Sequence, residues 1–198
     1  MIAILDYGAG NLRSVQNTLD EIGVTYELVR DAEGLEKASK IILPGVGHFG
    51  QMMRALDTMN VRQPLLDRIS AKIPFLGICL GLQALFQQSS EAPEVRGLGL
   101  FEGTVERFPV DARVPHMGWN TLDAVKETRL LRKLGPQPHV YFAHSYFVPV
   151  VPQTAATCTY TRPYTAVLEQ DNVFGVQFHP EKSGPMGLQI VRNFVEMI

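Results

Sequence analysis

Ile73-Pro-Phe-Leu-Gly-Ile-Cys79-Leu-Gly81-Leu-Gln83 reads as a buried strand running into a helix, with one reactive atom where the two meet. The apolar run from Phe75 to Ile78 suits a strand covered on both faces of a parallel sheet. The spacing of Leu80, Gln83, Ala84 and Leu85 suits a helix. Gly77 and Gly81 flank Cys79 in a G-x-nucleophile-x-G pattern, whose glycines tolerate the tight turn that lifts the side chain above the sheet. A free cysteine is more often a small buried hydrophobe. Cys158, inside the β-branched and aromatic run Ala155 to Thr161, reads that way; the glycine punctuation sets Cys79 apart.

Outward from that stretch, the first half alternates strands with helices. Short apolar runs at Ile2–Leu5, Tyr26–Val29, Ile41–Leu43 and Phe75–Ile78 are interleaved with helical spacing at Asn11–Ile22, Phe49–Met59 and Leu65–Ala71. The pattern predicts an α/β fold, a doubly wound and mostly parallel sheet flanked by helices, with ligands beyond the carboxyl ends of the strands. Strands at Gly99–Phe108, His139–Val151, Ala155–Thr161, Ala166–Gln170 and Val173–Phe178 predict an added antiparallel region in the second half, closed by a helix over Met186–Glu196. With no repeat, low-complexity tract or linker, residues 1–198 are expected to form a single domain.

The formal net charge is -2, with 18 Lys and Arg against 20 Asp and Glu. That leaves no basic field for nucleic acid or anionic lipid, and a small molecule or a protein is the expected partner. Two cysteines cannot make a disulfide framework. The charge-free stretches Ile73–Ser90 and Leu134–Thr161 carry prolines, glycines and polar side chains that lipid would leave unsatisfied, so no membrane span is expected. Met1-Ile-Ala-Ile-Leu-Asp6 lacks the basic start of a secretion signal, and a cytoplasmic location is the expectation. Asp6-Tyr-Gly8-Ala-Gly10-Asn-Leu-Arg13 resembles part of a dinucleotide loop, but Arg13 stands where the third glycine belongs; an ordinary strand-to-helix turn is the simpler reading.

A thiol nucleophile needs a base and a group that orients the base. Val173-Phe-Gly-Val-Gln-Phe-His179-Pro180-Glu181 ends in a histidine and a carboxylate two positions apart. In extended chain these share a face about 7 Å apart, and Pro180 is expected to keep the segment extended. His48, His116, His139 and His144 lack such a carboxylate, and none forms an H-x-x-x-H pair, so no metal and no cofactor are expected. Attack on a carbonyl also needs donors for the developing oxyanion. The N–H of Leu80 is one candidate. The loop in Ile41-Ile-Leu-Pro44-Gly45-Val46-Gly47-His48-Phe49-Gly50 ends a buried strand on the same sheet edge and is the candidate for the second.

With these segments quoted, the chain resembles the triad-type, class I glutamine amidotransferases, on Gly77-Ile-Cys79-Leu-Gly81-Leu-Gln83 and Phe178-His179-Pro180-Glu181, over essentially its whole length. Pro44-Gly-Val-Gly-His-Phe-Gly50, Pro115-His-Met-Gly-Trp119-Asn120 and His179-Pro-Glu-Lys-Ser183 narrow the resemblance to the glutaminase subunits of imidazole glycerol phosphate synthases, in histidine biosynthesis. The resemblance implies that Cys79 attacks the side-chain amide of glutamine, that His179 protonates the departing ammonia and then activates water, and that Glu181 holds the imidazole. It implies an oxyanion hole from Leu80 and, after rearrangement of the glycine loop, Val46. Gly47, Gln83, Ser145 and Tyr146 would contact glutamine.

The resemblance further implies a heterodimer with a β/α-barrel cyclase subunit. That partner would take ammonia through a tunnel and make imidazole glycerol phosphate and an aminoimidazole carboxamide ribotide. Trp119, Asn120, Tyr141 and Lys182 are candidates for the docking face, although Trp119 and Tyr141 read equally well as core aromatics and Lys182 as a solvated lysine. A glutaminase subunit of a different synthase and a non-catalytic binding module on the same fold stay open as alternatives.

Overall fold

The architecture follows from a computed structural model that describes residues 1–9 and 11–198, apart from the side chain of Met197. Gly10, in the partial glycine motif, lies outside the described residues. The first half runs β1 (Ile2–Leu5), α1 (Leu12–Ile22), β2 (Tyr26–Val29), α2 (Ala32–Glu36), β3 (Lys40–Gly45), α3 (Phe49–Thr58), α4 (Arg62–Ser70), β4 (Phe75–Cys79) and α5 (Leu80–Gln83). The second half runs β5 (Phe86–Ser89), β6 (Phe101–Arg107), β7 (His116–Thr121), β8 (Asp123–Ala124), β9 (His139–His144) and β10 (Tyr146–Phe147). It ends with β11 (Thr154–Thr159), β12 (Pro163–Gln170), β13 (Val173–Val176) and α6 (Gly184–Met197).

Eight strands form the main sheet in the order β2-β1-β3-β4-β13-β12-β11-β8. β2, β1, β3, β4 and β13 are parallel, and β12, β11 and β8 extend the sheet antiparallel. Both faces are covered, as the uninterrupted apolar strands require. Alternate residues divide between them: Ala3, Leu5, Ile41, Leu43 and Phe75 pack with Met52, Met53, Leu56 and Leu65 of α3 and α4. Ile2, Ile4, Ile42, Leu76 and Phe174 pack with Val15 and Leu19 of α1 and Ile190 and Phe194 of α6. Between β1 and β3 the winding reverses, which opens a crevice at their carboxyl ends.

Several elements depart from the sequence-based expectation. The helix after Cys79 lasts only from Leu80 to Gln83, because Phe86–Ser89 leaves to pair in parallel with β6 in a separate three-stranded sheet, β10-β6-β5. The strand expected over His139–Val151 breaks at Ser145 and ends at Phe147; Pro149 and Pro152 have no N–H to continue a ladder. β7 was not expected at all. It pairs antiparallel with β9 from His116 opposite His144 to Thr121 opposite His139. Among the described residues no helix is long and apolar enough to cross a membrane.

Candidate active site

β4 and β13 are neighbours in the sheet, with Gly77 opposite Gly175 and Ile78 opposite Val176. Cys79 closes β4 and His179 follows β13 by three residues, so one sheet edge delivers both. Cys79 takes φ +53° and ψ -105°, a backbone state that non-glycine residues avoid and that turns the thiol out of the strand. The turn can be this tight because α5 lies directly on the sheet. A Cβ on Gly81 would stand 2.0 Å from the Leu43 carbonyl oxygen, and one on Gly77 would stand 2.5 Å from the Gly81 oxygen.

His179 Nδ1 lies 2.8 Å from Glu181 Oε1, and both side chains are only 3% exposed. An ionised carboxylate can only accept, so Nδ1 carries the proton and Nε2 is left for the chemistry. Burial by itself would lower the His179 pKa. The Cys79 charge and hydrogen bonding, together with Glu181, outweigh it and raise the imidazole to about 10. The histidine and carboxylate do not share an extended strand as expected: β13 ends at Val176, and Pro180–Lys182 form one 3-10 turn with proline at its start. That turn is tied to β9. His179 N donates to Tyr141 O (2.9 Å), Ser183 Oγ donates to His179 O (2.6 Å), and Tyr141 N donates to Ser183 Oγ (2.9 Å).

Cys79 and His179 open onto a pocket of about 210 Å³. Val46, Gly47, Leu80, Gln83, Ser145 and Tyr146, all expected at the site, line it as well. Gln83 is buried, and its amide donates to Tyr146 O (2.8 Å) and Gln177 Oε1 (3.1 Å), so it shapes the wall from within. Gly47 has φ +95°, which a residue with a side chain would resist. The Val46 N–H donates to the Tyr7 hydroxyl at 3.3 Å, and that hydroxyl donates back to Val46 O, also at 3.3 Å.

Gln177, Glu91 and Tyr7 take places at the site that the sequence did not assign to them. Gln177 is fully buried, and its Nε2 donates to Cys79 Sγ at 3.5 Å. Its signal was a lone amide inside the apolar run from Val173 to Phe178. Glu91 puts a carboxylate on the pocket wall while accepting from Phe49 N at 2.7 Å. Tyr7 stands inside the partial glycine motif and reaches the loop after β3 through its hydroxyl. Among the described residues no group of three or more His, Cys, Asp or Glu is placed to hold a metal ion.

The docking candidates cluster beside the pocket. Met117 lines the rim and, with Trp119 two residues further along β7, is well exposed, at 65% and 57%. Trp119 meets Tyr141 of β9 edge-on, with ring centroids 6.1 Å apart, and reaches over Gly184. Lys182 is exposed on the 3-10 turn. The Asn120 amide is already engaged within the chain, donating to Thr159 O at 3.0 Å and accepting from Thr121 N at 2.8 Å.

Comparison with known proteins gives these features a context. A family model described as glutamine amidotransferase class-I matches residues 3–198. The chain is 46% identical over 196 residues to the imidazole glycerol phosphate synthase subunit HisH of Desulfitobacterium hafniense (strain Y51), covering 98% of this chain and 93% of that one. It is 47% identical over 199 residues to the subunit of the same name from Methanothermobacter thermautotrophicus, covering 100% and 99%. Among solved structures, one described as a glutamine amidotransferase superposes with a TM-score of 0.79 at 22% identity, over 99% of this chain and 97% of the other. PurLQS from Thermotoga maritima superposes with a TM-score of 0.77 at 19% identity, over 99% and 97%. At these identities the structures speak for the fold alone.

Proposed function

We propose, on the premise that this chain belongs to the class I glutamine amidotransferase family, that it is the glutaminase subunit of an imidazole glycerol phosphate synthase. The observation that carries the reading is the side-by-side delivery of Cys79 and the Glu181-bound His179 to one pocket, in a chain related end to end to HisH subunits.

The chemistry follows from that geometry. The Cys79 thiolate attacks the side-chain carbonyl carbon of glutamine, and the carbonyl oxygen becomes an oxyanion facing the Leu80 N–H at the start of α5. Collapse of the intermediate breaks the carbon–nitrogen bond, and His179 Nε2 gives its proton to the leaving nitrogen. Once the sulfur is acylated its negative charge is gone, so one of the influences holding the imidazolium proton is lost as the leaving group needs it. A water molecule deprotonated by His179 then attacks the thioester, releasing glutamate and restoring the thiolate–imidazolium pair. Glu91, on the pocket wall, offers a counter-charge for the α-ammonium group of glutamine.

Ammonia freed into neutral water would be protonated and lose its nucleophilicity, so a glutaminase of this kind works into a partner subunit. The partner proposed is a β/α-barrel cyclase that uses ammonia to make imidazole glycerol phosphate and an aminoimidazole carboxamide ribotide, with no part for nucleic acid. The face around Trp119, Tyr141 and Lys182 would receive it, and residues 1–198 would act as one glutaminase domain. The test is to mix the chain with a cognate cyclase, glutamine and the nucleotide substrate and to follow glutamate. Release that is lost in Cys79→Ala is expected; release that survives in that variant, or no release from the intact chain under any of these conditions, overturns the reading.

A further inference from the structure

We propose that Tyr7 is a positioning residue for the oxyanion hole: its hydroxyl holds the peptide groups of Val46 so that the Val46 N–H is withheld from the pocket, and letting go supplies the second donor. The inference rests on the glutaminase reading and concerns its control.

Leu80 follows the nucleophile directly, whereas Val46 comes from a different loop at the same sheet edge. The Val46 N–H makes its hydrogen bond to Tyr7 Oη and is therefore not free for a substrate oxygen. Because the same hydroxyl also donates to Val46 O, one side chain restrains the peptide units on both sides of the Val46 Cα. The hydroxyl spans the crevice where the winding of the sheet reverses, from the end of β1 to the end of β3.

The two ends of this contact differ in freedom. On the tyrosine side, the Asp6 carboxylate accepts from Gly8 N (2.9 Å) and from Arg30 Nε and Nη2 (2.8 and 2.6 Å), which fixes the turn around Tyr7. The ring itself is 7% exposed. Burial pushes the phenol up to about 12, so the hydroxyl keeps its proton at neutral pH. On the loop side, Gly45 is wedged against Gly81 N and Met52, whereas nothing lies within 4 Å of where a Cβ of Gly47 would stand. The loop is pinned at its start and open at Gly47, so Val46 can swing. Both hydrogen bonds, at 3.3 Å, are longer than usual, the spans being about 2.7–3.2 Å for N–H···O and about 2.5–3.0 Å for O–H···O, and the hold is weak enough to be released.

The experiment compares Tyr7→Phe with the unmodified chain, each with and without the cyclase. Phe keeps the ring packing and removes only the hydroxyl. Three quantities are read: kcat and KM for glutamine, inhibition by glutamate γ-semialdehyde, and the rate of Cys79 alkylation by iodoacetamide. The aldehyde adds to the thiol and places an oxygen in the hole, whereas iodoacetamide reacts at a saturated carbon and needs no hole. One oxyanion donor is worth about 10²–10³ in kcat. A partial release by Tyr7→Phe is therefore expected to raise partner-free kcat about tenfold and tighten aldehyde inhibition about tenfold, with KM and the alkylation rate within about twofold and a smaller stimulation by the cyclase. Unchanged or lower kcat and aldehyde affinity, with the unmodified chain active, overturns the proposal and leaves the glutaminase reading standing. A rise in alkylation matching that in kcat also overturns it, since that would mark general loosening. If the unmodified chain with cyclase releases no Cys79-dependent glutamate, both readings fall.

Discussion

Gln177 and Glu181 show what can be expected of single side chains at this site. Gln177 places its side-chain amide against Cys79 Sγ as a donor, from a position with no solvent access. Gln177 Oε1 also accepts from the Gln83 amide inside the pocket wall, and a buried donor left unpaired costs about 1–3 kcal/mol, so Gln177→Leu should lower stability by about that much; urea unfolding checks it. Glu181→Gln keeps the shape but removes the charge that fixes the proton on His179 Nδ1. By analogy with other nucleophile–histidine–acid sites, kcat for glutamine should fall by about 10³–10⁴, with KM little altered, in steady-state assays. Cys79 and His179 were legible because each sits where an apolar run meets glycine or proline. The route by which Glu181 reaches His179 was not, since Pro180 is equally at home in extended chain and at the first position of a helical turn. Gln177 escaped notice because a single polar residue in a strand looks like alternation until both faces of the strand are known to be covered.

At the scale of elements, α5 decides how the thiol is presented. A Cβ on Gly81 would meet backbone of β3 at 2.0 Å, a contact that no rotamer can relieve. Gly81→Ala should therefore cost more than about 3 kcal/mol of stability, or yield no folded protein, as measured by urea unfolding. The strands and long helices of the first half were legible because β1, β3 and β4, though not β2 with its exposed Glu27 and Leu28, are nearly all apolar and buried and each long helix has one buried stripe. β5, β7 and β8 were not. They belong to small sheets or an edge, where few side chains are buried and the pattern is correspondingly faint. The short span of α5 is hidden in the sequence because Ala84 and Leu85 are buried on the path to β5, and burial has no period of its own over so few residues.

For the molecule as a whole, two buried histidines contribute to the response to acid. His116 and His144 flank the Tyr164 hydroxyl at 3.2 and 3.3 Å, and His144 Nδ1 lies 2.8 Å from Tyr146 O. One arrangement of neutral rings satisfies all three contacts: His144 Nδ1–H donates to Tyr146 O, Tyr164 donates to His144 Nε2, and His116 Nδ1–H donates to Tyr164. Burial lowers His116 to about 4 and His144 to about 3, from an ordinary 6.5. The folded pKa values lie below the unfolded ones, so between them the unfolded chain binds more protons. Stability must then fall as pH drops from about 6.5 toward 4 and 3, on the order of a few kcal/mol in all. Urea midpoints across that range, with imidazole resonances followed by NMR, check both the slope and its source. At the outer surface, Trp119 is 57% exposed, so Trp119→Ala should leave the fold intact. If the proposed face is right, affinity for the cyclase should drop by about 2 kcal/mol or more, close to thirtyfold, by titration calorimetry. The sheet order carries one more consequence, in time rather than space. β13 inserts between β4 and β12, and Gln177 follows Cys79 in the chain by 98 residues. At about 5–20 residues per second, a ribosome therefore makes the cysteine roughly 5–20 s before the residues that border it. Through that interval the side of β4 that will face β13 is an unpaired apolar edge, exposed to aggregation and to chaperones, and the thiol exists before the histidine that comes to stand beside it on the sheet.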